Sequence, residues 1–440
     1  AYAGAFRTIH HNLEAALTAT GVNDASGETN ASAARASAKS RFESTKQRFF
    51  NHLLLGMKAP SIIRAIKEDL AAGKACVIQV VSTGESLLKR RLETMDPEDE
   101  LVEGALTPRD YVLGYLEQAF PIHAQKLVEI DGNMVAEPLR DETGALVVSR
   151  EALALRDAAM MELMTLAPIP PALDQILWAF GDEAVAEVTG RSVRPLKAED
   201  GHLFIEKRAA SSNSSETQAF MDGEKDILIF SDAGGTGRSY HAAQTAKNQK
   251  RRRHYLLEPG WRADAAIQGL GRTHRSAQVS APFFRVCTSD VHGEKRFTST
   301  IAKRLDQLGA LTKGQRETGS QGMFREEDNL ESPIARAALR GYFADLATGR
   351  AEAMSYESFT DWTALRLIDK DGVLLEELPP IQRFLNRVLA LPIHMQNALF
   401  AEFMCRIADQ TERARAAGTL DLGVETLRGE RIEQFSTEDL

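Results

Sequence analysis

In the stretch "AIQGLGRTHRSAQ", Ala266 to Gln278, Gln268 stands four residues before Arg272, and Arg275 follows three residues later. A guanidinium never loses its charge under physiological conditions and offers a rigid fork of donors that matches phosphate oxygens. Residues three and four apart share one side of a helix or tight turn, so the three side chains are expected to point the same way. Gly269 and Gly271 keep that side low enough for a nucleotide or a neighbouring domain to approach. Gln268, a neutral donor and acceptor, suits the orienting of a hydroxyl or a water. The bland alternative is a surface helix with solvated arginines, and the glycine-rich strand end nearby makes it the weaker one.

That strand end is "IFSDAGGTGRSYHAA". Asp226 to Phe230 reads as a buried strand that runs into Ser231 and Asp232 and then a turn from Gly234 to Gly237. Bare glycine backbone leaves amide groups to face a ligand, although glycines also serve a plain turn. The run "KNQKRRRHY" places Lys247, Lys250, Arg251, Arg252 and Arg253 within seven residues of a chain whose net charge is -9. It reads equally as a track for a phosphate backbone and as a loop whose arginines pair with nearby acids. His241, His254 and His274 lack metal-ligand spacing, so no metal site is expected. Trp178, Trp261 and the helix "AAMMELM" read as packing residues.

The elements that must position these residues follow from length and pattern. A chain of 440 residues is too long for one core, so two or three packed units are expected. The acidic balance argues against a uniformly basic coat protein without excluding a local basic channel. Cys76, Cys287 and Cys405 lie far apart in apolar runs, which suits buried thiols in a reducing compartment and no disulfide framework. No apolar run is long enough to span a bilayer and no signal peptide is visible, so the reading is cytoplasmic, with a bacterial or mobile-element flavour. The chain opens on Ala rather than Met, so an excerpt or a processed product is expected.

Residues 1–45 read as a linker or helical lead-in, and residues 46–72 as two helices, the second opened by Pro60. Ala75 to Val81 is a continuous apolar run with the look of a buried parallel strand. Residues 96–215 read as an insertion, with a hairpin around Asp131-Gly132, a helix in "REALALRDAAMMELMTLA" and two short helices in "IPPALDQILWAFGDEAVAEVTG". The sheet resumes over 216–318, with further strands in "RRRHYLLEP" and "PFFRVCTSD" and an amphipathic helix in "GEKRFTSTIAKRLDQLG". Residues 319–440 are mostly helical in pattern. Strand, glycine turn and helix in alternation predict an α/β fold.

These residues carry a resemblance. "QGLGRTHRSAQ" resembles the sixth motif of superfamily 2 helicases, and "SDAGGTGRSYHAA" their fifth motif in the Snf-type branch, with "EPGW" similar to that branch's lead-in. The ordered series from "KQRFFNHLLLGMK" through "GEKRFTSTIAKRLDQLGAL", and again "RFLNRVLALPIHMQNALF", resembles the C-terminal half of the strawberry notch helicase family. It covers most of Lys46 to Leu311 and Pro380 to Phe400. The resemblance implies a RecA-like parallel sheet flanked by helices, the second lobe of a motor in which ATP sits between two lobes. It implies that Arg272 and Arg275 are arginine fingers and that Gln268 lies near the nucleotide or the attacking water. Asp232, Gly235 and Gly237, with Gly271, would line the nucleotide gap, and Ser82, Thr83, Lys250, Arg251 and Arg252 would face nucleic acid. The departure is a missing phosphate loop: Gly73-Lys74 is followed by Ala75, and no Asp-Glu box appears. ATP and Mg2+ are then expected to be held mainly by a separate phosphate-loop lobe, in the same polypeptide or another, with DNA or RNA as partner and no hydrolysis by this chain alone. Two other readings remain open: a non-catalytic RecA-like scaffold that recruits partners, and a self-contained nucleotide binder built on the "GGTG" turn.

Overall fold

The computed structural model describes the chain apart from residues 1, 25, 27, 28, 30, 95–106, 131–132, 199, 210, 236, 259, 261–262, 308–327 and 420–440. In chain order its strands are β1 (Ala75–Gln79), β2 (Gln125–Ile130), β3 (Asn133–Pro138), β4 (Val185–Val188), β5 (Val193–Lys197), β6 (Leu203–Lys207), β7 (Ile227–Phe230), β8 (Arg252–Leu256) and β9 (Phe283–Val286). Five of them form one parallel sheet in the order β4-β7-β1-β8-β9. The strands β1, β4 and β7 are buried at every residue, as continuous apolar runs in a two-sided parallel sheet should be. Cys76, Ile78, Ile227 and Ile229 pack beneath the helices Ser32–Ala71 and Ala172–Phe180, through Leu55, Ala59, Ile66, Ile176 and Leu177. Ala75, Val77, Leu228 and Phe230 turn to the opposite face and meet Phe220 of the helix Ser212–Asp222, together with Tyr240. This is the helix-flanked α/β sheet expected of a RecA-like lobe.

Three expectations give way. The segment Val185–Val188, expected as helix inside an insertion, is the edge strand β4 and pairs in parallel with β7. Residues 96–215 thus contribute one of the sheet's five strands, besides the antiparallel pairs β2–β3 and β5–β6. Of the two readings of residues 1–45, the linker gives way to the helical lead-in: Phe6, Ile9, Leu13 and Leu17 of the helix Tyr2–Ala19 are buried against Phe42, Phe49 and Phe50. Residues 46–72 do not form two helices either, because one helix of 40 residues runs from Ser32 to Ala71 with Pro60 inside it. Proline has no N–H to give the carbonyl four residues back, and Gln175 Nε2 donates to that carbonyl, on Gly56, at 3.0 Å. Gly56 is needed there, since a Cβ would lie 2.8 Å from both Ile169 and the Pro170 carbonyl.

Smaller differences follow the same logic. Met161 and Met164 are 72% and 56% exposed, while Ala152, Ala159 and Leu163 form the buried stripe of the helix Arg150–Met164. Cys76 and Cys287 are buried, which pushes both thiols up to about 12, but Cys405 is exposed. Trp178 is a packing residue whose indole N–H donates to Pro195 O at 3.1 Å. Trp261, the Asp131-Gly132 turn and most of the acidic stretch before Thr107 lie outside the described residues. The helices Pro333–Ala347, Tyr356–Thr363, Ile381–Val388 and Ile393–Ala416 enclose a core of their own around Phe343, Phe384 and Phe403.

A buried ionic cluster closes the β4 edge. Arg191 bonds Glu187 at 2.8 Å and Asp174 at 2.6 Å, with all three side chains no more than 5% exposed. Arg194 and Arg208 also reach Glu187, at 3.5 Å each. Burial opposes ionisation of Glu187, but Arg191 and its neighbours outweigh it and hold the carboxyl down at about 2. Asp174, with fewer cationic partners, is pushed up by burial instead. Removing one member of such a set strands the opposite charge, so Arg191→Met is expected to cost about 3–5 kcal/mol in urea denaturation. Because the folded-state value of Glu187 is depressed, its contribution is fully present above about pH 4.5 and is lost as the pH falls through about 2. The fall in stability across that window should flatten in Glu187→Gln.

Candidate functional site

The helix Ala263–Leu270 carries Gln268, and its last turn is closed by Gly271 N to Ile267 O at 3.0 Å, Arg272 N to Gly269 O at 3.0 Å and Thr273 N to Leu270 O at 3.3 Å. Arg275 lies beyond that turn, so Gln268, Arg272 and Arg275 do not share one helical face. Gly269 also differs from expectation. It faces inward, where a Cβ would lie 2.1 Å from Gln79 Nε2, so this glycine admits the sheet rather than a nucleotide. Gln268 is exposed. Arg272 is half-buried: its Nη1 donates to Arg238 O at 3.2 Å and its guanidinium sits 5.7 Å from the Phe230 ring centroid. Arg275 is exposed, and its backbone N–H donates to Gln278 Oε1 at 3.2 Å.

The two glycine-bearing segments found in the sequence are brought together. Tyr240 N donates to Arg272 O at 2.8 Å, Gln244 N to Ala277 O at 3.1 Å and Val279 N to Ala242 O at 2.8 Å. Asp232 and Gly235 bound a single helical turn at the exit of β7, and Gly237 follows with φ 75°. Beneath the arginine turn lies His254, fully buried, with Nδ1 2.7 Å from Thr273 Oγ1. Leu270 O lies 3.1 Å from the same hydroxyl, so a proton on Nδ1 would let both contacts be hydrogen bonds at once. Burial pushes this imidazole down to about 3, and it stays neutral.

The basic run is mostly spent on the fold. Lys247 pairs with Asp222 at 3.4 Å, Lys250 with Asp226, and Arg253 with Asp69 at 2.9 Å. Arg252 does not belong to a nucleic-acid surface: it is fully buried, and donates to Tyr240 O at 2.8 Å, Asn248 Oδ1 at 3.0 Å, Lys250 O at 2.7 Å and Asn248 O at 2.8 Å. Burial lowers its guanidinium to about 10. Arg251 remains exposed, with Nε on Ala281 O at 3.0 Å, and Lys250 is partly open.

At the exit of β1, Ser82 is also committed. Glu258 Oε2 accepts from Val81 N at 2.9 Å and Ser82 N at 2.7 Å, while Oε1 accepts from Ser82 Oγ at 3.1 Å and Asn51 Nδ2 at 2.8 Å. The donors expected to meet phosphate therefore hold a carboxylate. Thr83 lines an adjoining open cleft of about 580 Å3. Sequence reasoning passed over Glu258, whose only signal was its place at the head of "EPGW", and Asn51, one polar residue among many on a long helix. Among the described residues no helix is long and apolar enough to cross a membrane.

Residues 171–426 match the family model described as "C-terminal domain on Strawberry notch homologue" (Helicase_C_4). The chain belongs to the strawberry notch family. It is similar to strawberry notch homolog 1 of Rattus norvegicus, 30% identical over 90% of this chain and 38% of the rat protein. It is also similar to strawberry notch of Drosophila melanogaster, 39% identical over 59% of this chain and 17% of the fly protein, and to FORGETTER 1 of Arabidopsis thaliana, 35% identical over 61% and 23%. The chain thus spans well under half the length of these strawberry notch relatives, and carries the family's helicase C-terminal domain. These relatives are animal and plant proteins, and they lend no support to a bacterial or mobile-element source. No solved structure matches the chain.

The His254–Thr273 bond yields a stability test. His254→Leu removes the donor from a buried hydroxyl oxygen and is expected to cost about 1–3 kcal/mol in urea denaturation. His254→Asn, which keeps an N–H near the position of Nδ1, should recover most of that loss.

Proposed function

We propose that this chain is the second motor lobe of an ATP-driven nucleic-acid helicase or translocase and completes a nucleotide site whose phosphate loop lies in a separate lobe. The observation that carries the reading is the joining of residues 240–244 to residues 272–279 by backbone hydrogen bonds, which presents an exposed Arg275 beside a half-buried Arg272. Two guanidinium groups three residues apart fit the oxygens of a triphosphate. Gly73-Lys74 is followed by Ala75 and no Asp-Glu box appears, so ATP and Mg2+ are assigned mainly to the phosphate-loop lobe.

Within this reading Arg275 is the residue that extends to the γ-phosphate and neutralises charge as the phosphoryl group departs. Arg272, bonded to the Arg238 carbonyl after β7, links that turn to the loop holding Asp232, Gly235 and Gly237. Gln268, exposed one turn before Arg272, remains available to a nucleotide hydroxyl or a water. Gly271 closes the helix and keeps the turn tight. DNA or RNA is the partner that the family's helicase character supports, met through Thr83, Arg251 and the open side of Lys250.

The test joins the chain to a strawberry notch phosphate-loop lobe. Arg275→Ala should lower ATP turnover by roughly 10³-fold while the urea midpoint stays in place, and Arg272→Ala should lower it as far with a reduced midpoint, since it also gives up the bond to the Arg238 carbonyl. Unaltered turnover in Arg275→Ala would rule the reading out.

A further inference from the structure

The helices Tyr2–Ala19 and Ser32–Ala71 face the C-terminal helical unit across an open groove of about 1670 Å3. Its far wall runs from Thr360 to Arg387. Two ion pairs tie the walls to each other. Arg7 meets Asp361 at 3.3 Å, with its guanidinium 4.4 Å from the Trp362 ring centroid, and Arg387 meets Glu43 at 3.1 Å. The far wall is also braced within itself, by Leu375 N on Leu367 O at 2.8 Å and Leu367 N on the Tyr356 hydroxyl at 3.0 Å. The walls are therefore held at a set separation. We propose that this groove docks an acidic amphipathic helix of a partner protein, with apolar side chains seated on Leu375, Leu378 and Pro379 and carboxylates paired with Arg366 and Arg383. The proposal goes beyond the motor reading and does not depend on it.

Charge decides the class of occupant. Three of the carboxylates that line the groove are already paired: Glu14 with Arg35 at 3.2 Å and with Lys39, Glu43 with Arg387 and with Lys46 at 2.9 Å, and Asp361 with Arg7. Arg366, Arg383 and Glu377 also line it, are exposed, and make no ion pair among the described residues. Two free cations against one free anion make a weak field for a phosphate backbone, whose binding rests on many neutralised phosphates. They suit a segment with a few carboxylates and a single base. Between these charges Leu375, Leu378 and Pro379 are only half-buried, and covering them is favourable at about 25 cal/mol per Å2. On the opposite wall Ser32, Ala36 and Ser40 are exposed at a spacing of four, a row of small side chains that lets a second helix lie close. The volume exceeds the range of about 300–1,000 Å3 typical of small-molecule sites, so a peptide rather than a metabolite fills it, as a helix in a groove. Walls fixed before binding spare the complex a cost of ordering.

The test is fluorescence anisotropy on the 440-residue chain. The probes are labelled synthetic helical peptides that share one leucine face and carry glutamates at different positions on the other, a matching set with lysine for glutamate, and a labelled oligo-dT strand. At least one glutamate peptide should bind. Arg366→Glu and Arg383→Glu should each weaken that binding about tenfold with the urea midpoint in place, and the doubly reversed chain should bind a lysine peptide instead. Leu378→Ser should weaken the glutamate peptide without changing its salt dependence. Arg340→Glu, at an exposed arginine outside the groove, should bind as the unaltered chain does. Absence of binding by every glutamate peptide, or full affinity in both arginine variants, would overturn the proposal. Oligo-dT binding that falls together with the peptide's would give the groove to nucleic acid. A dimer in sedimentation velocity that the same reversals dissolve would give it to a second copy of this chain. Either result overturns the proposal as well. None of these readouts involves ATP turnover, so a failure here is distinct from a failure of the motor reading.

Discussion

Arg252 has no ion-pair partner among the described residues, yet it lies fully buried on the sheet face beside Phe220, and it pins the loop on which the candidate site depends. Its Nε holds the Tyr240 carbonyl, its other nitrogens hold carbonyls of Asn248 and Lys250, and Tyr240 in turn gives its N–H to the Arg272 carbonyl. Two backbone steps therefore connect a buried cation to the arginine turn. A buried guanidinium is costly unless its donors are filled, and here they are filled by carbonyls that would themselves otherwise be stranded. The loop over residues 240–250 has few apolar side chains to hold it down, so this hydrogen-bonded post takes the place of a core.

Charged side chains do similar duty at the ends of the strands. A parallel sheet leaves backbone groups open where its strands stop. Lys58 donates to Cys287 O at 2.8 Å and Leu257 O at 3.4 Å after β9 and β8, and it is neutralised by Glu294. Glu258 performs the mirrored task after β1, collecting N–H groups rather than carbonyls. Opposite signs thus close adjacent strand exits, each chosen by which backbone group is exposed. The same logic explains why residues expected to face phosphate are occupied: a donor good enough for phosphate is also good enough for a carboxylate of the same chain.

Much of the architecture could be read from the sequence, and the misses have definite causes. Runs such as Ala75 to Val81 and Asp226 to Phe230 announce buried parallel strands because nothing polar interrupts them. The segment Val185–Val188 hid because Glu187 sits inside it, and a carboxylate is tolerable there only through Arg191, a partner that strand patterning does not reveal. Pro60 suggested a helix start because local rules assign it that place, whereas Gln175, far along the chain, relieves the carbonyl it frees. In the candidate site the order of motifs was legible, whereas the backbone bonds that join the two glycine-bearing segments carry no mark in residue type. The roles of Arg252 and Ser82 were not legible either, since residue type records what a side chain can bond and not which partner reaches it first.

The contact between Gly269 and Gln79 has a mechanical corollary. With no side chain between them, the helix leading into the arginine turn is seated directly on the last residue of β1. Two residues further on, the same strand delivers its amides to the cleft wall. Close-packed interiors transmit displacement rather than absorb it. Any shift of the β1 exit therefore bears directly on the helix that leads into the arginine turn, with no side chain between them to absorb it.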